Sequence, residues 1–362
     1  MNRDVERVRE LLPPDADPVG VMDGGVEEGL PARAERELVL LRRTAVADHS
    51  TRLVLGPGRR TLLGAAVAVM GAGVLVLNGG LPLPGREGAT PAVAVTPPVL
   101  TLSPVDGRPA DHLLRLAARV EKLPKEHSTG PYQYARTWGW WLNTAGDAPG
   151  GAANAAVPTV VETWRRPDGA GRLLSTYGRP IFPNPETEKA ARDAGLIAGD
   201  GRTDERFGRG GFPDPEGDAW QKVEPFSTDP KKLLKQLKQV NWEGGQLVYG
   251  VSDMLGVAAR SGPVDPRLRA AALRVLAGAT GIKVSTTTTW QGRRAVAVTQ
   301  EELWKESTSR QSILFSPETG DLLGHEEALL GHPRMLNIRV PATLAVQEFL
   351  ARGSVDTVNE RP

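Results

Sequence analysis

Histidines beside acidic residues are the first groups in this sequence that could do chemistry, because together they can ligate a metal ion. The nearest arrangement to a known site is GHEEALLGH (residues 324–332), which resembles the zinc-binding pattern H-E-x-x-H. Leu329 stands where that pattern requires its second histidine. The segment also alternates like a strand, and a strand lacks the i, i+4 geometry that the zinc ligands need. We therefore predict that His325 and its neighbours are polar residues of a strand edge rather than metal ligands.

Nucleophilic and cofactor chemistry has little support in the sequence. The 362 residues contain no cysteine, which excludes cysteine nucleophiles, thiolate zinc sites, iron–sulfur clusters and disulfides. No G-x-S-x-G nucleophile elbow is present, and GPGRRTLLG (residues 56–64) matches neither a P-loop nor a dinucleotide-binding fingerprint. We predict a non-enzymatic protein without catalytic residues, cofactor or metal. An enzyme of unrecognised type stays open as an alternative, because composition alone does not exclude a Ser/His/Asp triad.

The strongest binding signal is aromatic. The segment GPYQYARTWGWWLNT (residues 130–144) holds two of the four tyrosines and three of the eight tryptophans. In a strand, Tyr132, Tyr134, Trp138 and Trp140 fall on one face, since successive side chains alternate. These four residues are our candidates for the lining of a ligand concavity. The alternative is ordinary packing of the same face in the core.

The elements that must position these aromatics are mostly hairpins. Alternation and turn residues predict strands over residues 132–142, 157–165, 172–177, 282–290, 294–300, 311–315, 322–328 and 335–346. Helices are predicted over residues 111–123, 230–240, 252–260 and 267–279 from apolar spacing and from three N-cap aspartates, Asp111, Asp229 and Asp265, of which the last two precede a proline. The Gly/Pro-rich stretch over residues 178–218 is predicted to be irregular. Antiparallel strands with one apolar face need a cover, and the helices between 230 and 279 are the obvious one. The predicted fold class is α+β, a curved antiparallel sheet covered by helices.

The chain before this region has a different character, since every Trp, Tyr and Phe lies after residue 130. Residues 59–83 are predicted to form one transmembrane helix, because the uncharged run from Thr61 to Gly85 is long enough for a span of about 20 residues. The excess of arginines before the span places the N-terminus in the cytoplasm and the C-terminal region outside the membrane. A cleaved twin-arginine signal at Arg59–Arg60 is the alternative if the natural start lies further along the chain.

These observations divide the chain into four parts. Residues 1–58 are a cytoplasmic segment of short helices or disorder, 59–83 the transmembrane helix, 84–106 a Pro-rich stalk, and 107–362 an extracytoplasmic α+β domain. The formal net charge is +1, so we expect no nucleic-acid partner.

Several segments carry a resemblance to a known family. Residues 264–284, 290–302 and 310–330 resemble uncharacterised actinobacterial single-pass membrane proteins, and the resemblance covers roughly residues 35–362. YQYARTWGWWLNT (residues 132–144) and SPETGDLLG (residues 316–324) resemble the RYVRT-type and PETGxLL-type strands of that family, and VDTVNERP (residues 355–362) also fits. The resemblance implies an outer domain similar to the half-barrel of LolA and RseB, in which a curved sheet wraps helices and can enclose an acyl chain. It also implies an association with extracytoplasmic-function sigma factors and envelope signalling.

The sequence therefore predicts a membrane-anchored, non-enzymatic binding or sensor protein at the cell membrane. The expected partner is a lipid, a lipoprotein or an envelope protein. The first alternative is a membrane-anchored sigma-factor regulator that acts through residues 1–58, and the second is an enzyme of unrecognised type. Since a shared fold does not establish a shared function, the choice among them depends on the site.

Overall fold

The structure is a computed structural model that describes residues 96, 98–126, 129–145, 153–182, 185–193, 201–213, 225–240, 247–260, 262–304, 307–331 and 338–362. The chain divides into two units between residues 61 and 62, and every described residue belongs to the second. The predicted cytoplasmic segment (1–58) and transmembrane helix (59–83) lie outside the described residues. Within the described ranges, no helix is both long and apolar enough to cross a membrane.

One antiparallel sheet of eleven strands dominates the described residues. The strands are β1 (Ser103–Pro104), β2 (Tyr132–Ala145), β3 (Ala153–Ala156), β4 (Thr159–Arg165), β5 (Gly171–Tyr177), β6 (Arg202–Phe207), β7 (Ile282–Thr288), β8 (Arg294–Trp304), β9 (Ser307–Phe315), β10 (Leu322–Leu329) and β11 (Ala342–Val355). Their order across the open sheet is β1-β7-β8-β9-β10-β11-β2-β4-β5-β6, with β3 paired to β2. The pairing of β11 with β2 therefore joins the last strand of the domain to the first long one.

Five helices accompany the sheet in the described part of the chain: α1 (Pro109–Val120), α2 (Pro185–Asp193), α3 (Pro230–Gln239), α4 (Leu247–Arg260) and α5 (Pro266–Ala277). The predicted start signals of α3 and α5 are confirmed. Asp229 accepts a hydrogen bond from the backbone N–H of Lys232, Asp265 accepts one from Arg267, and proline follows each cap. The cap predicted for α1 is wrong, because Arg108 is the N-cap residue and Asp111 lies in the first turn.

The two faces of the sheet carry separate apolar clusters. Helices α1, α3, α4 and α5 pack on one face, which we call the helical face, against sheet residues such as Val298, Ile313 and Phe315. The other face, which we call the opposite face, holds its own clusters around Trp140 and Trp164. The sheet is therefore covered on both sides rather than wrapped around a single helical core.

The predicted fold class is wrong in this respect. We expected an α+β half-barrel covered by helices, and the domain is instead mostly sheet, with all its ladders in one open antiparallel sheet. Sequence patterns underestimate the sheet because β3 (ANAA) and β6 (RTDERF) have no apolar alternation. These strands form through backbone hydrogen bonds to β2 and β5, which any residue except proline can make. Residues 178–218, predicted to be irregular, also contain α2 and β6.

Candidate functional site

The two predicted tryptophans lie on the opposite face, away from the helices. Trp140 is 1% exposed and packs in a cluster with residues of β10 and β11, and Trp138 packs at its border. The rings of Trp138 and Trp290 approach to 6.4 Å between centroids. Their position follows from register, since Trp138 lies beside Glu348 while Thr137 lies beside Phe349 on the helical face.

The two predicted tyrosines belong to a second cluster on the same opposite face. Tyr134 is 3% exposed and packs on Trp164, with ring centroids 5.2 Å apart, and Tyr132 lies at the edge of this cluster. The hydroxyl of Tyr134 donates to Glu162 at 2.6 Å. Burial, followed by this contact with a carboxylate, raises the pKa of Tyr134 above its ordinary value. Of the four predicted residues, Tyr134 borders the cleft described next.

A cleft opens on the helical face between α4 and strands β2, β4, β10 and β11, and we call it the α4 cleft. Its helix side consists of Tyr249, Ser252, Asp253, Gly256 and Ala259, and its sheet side includes Thr137, Thr163, His325, Gln347, Phe349 and Arg352. Its volume is about 50 Å³. Most of the lining residues have polar side chains, but most of the surface that they expose to the cleft is apolar. A mainly apolar surface with polar groups set in it is the usual composition of small-molecule sites.

The sequence of α4 explains why the cleft is there. One stripe of the helix carries Val248, Val251 and Leu255, which are buried in the helical core. The stripe over the sheet instead carries Ser252 and Gly256, which are too small to reach it. A Cβ atom placed on Gly256 would find nothing within 4 Å. Close packing is the rule in protein interiors, so this unfilled stripe distinguishes the cleft from ordinary core.

The α4 cleft continues into a larger cavity of about 240 Å³, which we call the arginine cavity. The two share Tyr134, Ala259, Phe349 and Arg352. The arginine cavity extends past the end of α4 towards the β9–β10 turn and the β7–β8 turn, which supply Asp321 and Arg293 among other residues. The α4 cleft and the arginine cavity are therefore neighbouring spaces with part of their walls in common.

Two arginines and two carboxylates line the arginine cavity, and two further charged residues, Arg269 and Glu348, are ion-pair partners of the lining residues. Arg269 is 2% exposed and binds Asp321, with Glu126 at 3.7 Å. Arg293 donates to the buried Glu348 at 2.8 Å. These two arginines thus have carboxylate partners within the domain.

Arg352 differs from the other two arginines. Its Nη2 donates to the carbonyl of Leu322 at 2.8 Å, and its guanidinium lies 4.0 Å above the centre of the Phe349 ring. Its Nε, like that of Arg269, is buried without a hydrogen-bond partner among the described residues. Burial lowers the pKa of Arg352 to about 10, so the side chain is still cationic at neutral pH.

Two titratable residues of β10 also face the helices. Burial lowers the pKa of His325 to about 4, so its imidazole is neutral at pH 7. The ring has no hydrogen bond to the described part of the chain. Two residues further on, burial and the nearby charge of Glu302 raise the pKa of Glu327 to about 7, against the lowering effect of a hydrogen bond with Gln311. The segment is a strand, as predicted, and its polar residues lie inside the domain rather than at its edge.

The α4 cleft offers two arginines, Arg165 and Arg352, the carboxylate of Asp253, a neutral imidazole, hydroxyls and side-chain amides. The described residues contain no group of three or more His, Asp or Glu side chains that could hold a metal ion. Sequence reasoning missed both the α4 cleft and Arg352. The sequence of α4, LVYGVSDMLGVAAR (residues 247–260), contains a pattern that could have predicted the cleft. Small residues recur on the side of the helix opposite to its large apolar residues.

Comparison with family models, with curated proteins and with solved structures finds no match for this chain. The family resemblance noted in the sequence therefore stays a prediction, and the function is argued from the cleft.

Proposed function

We propose that this domain is a non-enzymatic binding protein that holds a small amphipathic molecule with a single apolar chain in the α4 cleft. The observation that supports this most directly is the unfilled stripe of α4 at Gly256, above a sheet face that carries Phe349. An unfilled space lined by apolar groups loses packing energy unless a ligand occupies it. Holding such a ligand offsets that loss.

The available volume argues for a short chain. Small-molecule sites usually occupy about 300–1,000 Å³, and the larger of the two spaces measures about 240 Å³. Both spaces are therefore too small for a whole two-chain phospholipid. We propose a single short chain that extends from the α4 cleft towards the arginine cavity. This narrows the lipid or lipoprotein partner predicted from sequence to one acyl or alkyl chain.

Photo-crosslinking with a ten-carbon alcohol that bears a diazirine tests the proposal on the full-length protein. We expect labelled peptides from residues 247–260 and from β11, and we expect excess unlabelled decanol to reduce the labelling. Labelling that excess decanol leaves unchanged would contradict specific binding.

Two substitutions at Gly256 provide a matched pair. Gly256→Leu places a side chain in the cleft and should reduce labelling at least about fivefold, because it occupies the space that the chain needs. Gly256→Ala leaves most of that space and should label like the wild type. Alanine should also raise the free energy of unfolding by about 0.5–1 kcal/mol, since glycine is the poorer helix former. Equal labelling of the leucine variant would overturn the proposed site.

The location outside the membrane and the sigma-factor alternative both depend on residues 1–83, which lie outside the described residues. They stay predictions from the sequence.

A further inference from the structure

Arg352 is a cation that forms no ion pair with any carboxylate of the described residues. The two carboxylates that line the arginine cavity, Asp321 and Glu126, form their ion pairs with Arg269 and influence Arg352 only through their nearby charge. Within the described ranges, no carboxylate comes within 4 Å of the Arg352 guanidinium. The side chain instead has one carbonyl oxygen and one aromatic face as partners.

This arrangement is costly for an arginine in a partly buried position. A guanidinium carries five N–H donors and stays protonated in proteins, so it cannot escape burial by becoming neutral. Burying a charge or a donor without a partner lowers stability. The ring of Phe349 and the Leu322 carbonyl hold the guanidinium in place but do not neutralise it. An anionic ligand would relieve this cost.

The position of Arg352 also relates it to the apolar site. It borders both the α4 cleft and the arginine cavity, as does Phe349. A chain that lies along α4 at Gly256 therefore ends beside the guanidinium. The head group of such a ligand would contact the charged Arg352, and its chain would contact the apolar surface of the α4 cleft.

We propose that Arg352 binds the anionic head group, a carboxylate or a phosphate monoester, of the single-chain ligand held in the α4 cleft. This inference rests on the proposed function, because it assigns the head of the same ligand. Carboxylates and phosphates share the geometry that matters here, since both accept two parallel N–H bonds from a guanidinium.

Competition against the diazirine label tests the head group in the full-length protein. The competitors are decanoate, decyl phosphate and decanol, which have the same ten-carbon chain and differ in the head. We expect at least one of the two anions to displace the label at a concentration roughly tenfold or more below that of decanol, as a charge-assisted hydrogen bond predicts. The ratio between decanoate and decyl phosphate then tells which anion the site prefers.

The matched variants are Arg352→Gln, Arg352→Lys and the control Arg115→Gln, whose residue is exposed on α1. Arg352→Gln should bring the anions and decanol to within about threefold of each other. Arg352→Lys should keep part of the preference, because a lysine retains the charge without the two-pronged geometry. Arg115→Gln should behave like the wild type.

The outcomes separate the two proposals. Equal competition by decanol and by both anions in the wild type would overturn the role of Arg352 and leave the apolar site standing. An anion preference that survives Arg352→Gln would do the same. Label that no competitor displaces would overturn the proposed function as well. The wild-type comparison needs no variant, so it decides the question even if Arg352→Gln does not fold.

Discussion

At the scale of single residues, burial and partners decide what each ionisable group does. Glu162, Glu326 and Glu348 are buried carboxylates that bind arginine side chains. Glu327 has no arginine partner among the described residues, and burial together with the nearby charge of Glu302 raises its pKa. Arg352 is the converse case, a cation whose partner the described chain does not supply. Glu327 and Arg352, the two residues without an oppositely charged partner, both lie on the helical face.

The raised pKa of Glu327 predicts a stability that falls as pH rises. Below its ordinary pKa of 4.5 the carboxyl is protonated in both folded and unfolded chains, and above about 7 it is ionised in both. Between these values the unfolded chain loses its proton first, so folding becomes less favourable with rising pH. Glu327→Gln removes this cost and should stabilise the domain by about 1–2 kcal/mol more at pH 8 than at pH 4, allowing for partial exposure.

Chemical denaturation at several pH values measures this difference. Glu301→Gln is the control, because Glu301 is exposed and pairs with Lys283 at 2.6 Å. Its effect should change little from pH 5 to pH 8. A Glu327→Gln effect that is independent of pH would mean that burial does not perturb this carboxyl.

The position of Trp141 in the fold explains why it departs from the alternation of the aromatic segment. Trp141 breaks the alternation of the aromatic segment because it lies on the helical side of β2. Its ring covers Gly139, where a Cβ atom would come within 2.1 Å of the ring carbons. The glycine thus makes room for the tryptophan two residues later on the same face.

At the scale of elements, local signals determine where helices begin but not what they cover. The caps of α3 and α5 can be predicted from sequence, because the aspartate accepts a hydrogen bond from a backbone N–H of the first helical turn, and this contact involves only residues close together in the chain. The cleft-facing stripe of α4 has no such local cause. Whether this stripe forms a cleft depends on the strands that it faces, and these strands come from both ends of the domain.

The cap of α5 gives a prediction at this scale. Asp265→Ala removes the acceptor for the Arg267 N–H, which lies 2.8 Å away, and should lower the free energy of unfolding by about 1 kcal/mol. Asp265→Asn keeps an acceptor oxygen and should cost much less. It removes the exposed ion pair with Lys125 as well, so the difference between the two variants isolates the cap. Equal losses in denaturant unfolding would assign the effect to the charge.

At the scale of the whole molecule, the C-terminal residues complete the opposite face. The indole Nε1 of Trp164 donates to the carbonyl of Glu360 at 2.6 Å. Arg361 donates two hydrogen bonds to Glu162, at 2.5 and 3.0 Å. These contacts join β4 to residues nearly two hundred positions later in the chain, and they cover the tyrosine cluster.

The pair of Arg361 and Glu162 predicts a pH-dependent loss on mutation. The hydrogen bond from Arg361 is the main cause that lowers the pKa of Glu162. A lowered folded pKa stabilises the fold above the unfolded pKa, and that stabilisation disappears as pH falls through the folded value. Arg361→Ala should therefore cost about 1–2 kcal/mol at pH 7, a modest value because Arg361 is 56% exposed, and less at pH 3.

Denaturant unfolding of Arg361→Ala at both pH values checks this, with Arg115→Ala as the exposed control. A loss that is the same at pH 7 and pH 3 would show that packing of the C-terminal residues, rather than the ion pair, stabilises this face.

The sequence by itself determined the local features: the strand over the aromatic segment, the helix starts at Asp229 and Asp265, the strand at residues 322–329 and the lack of cysteine chemistry. These follow from alternation, capping and composition, which depend on neighbours along the chain.

Tertiary structure alone decided the extent of the sheet, because strands such as β6 exist through hydrogen bonds to a partner rather than through their own pattern. It also decided which face of β2 meets the helices, since alternation defines two faces without saying what packs on either. The candidate site depends on that choice: Arg352 and Gly256 come from a strand and a helix about a hundred residues apart, and they border one cleft because the sheet brings β11 under α4.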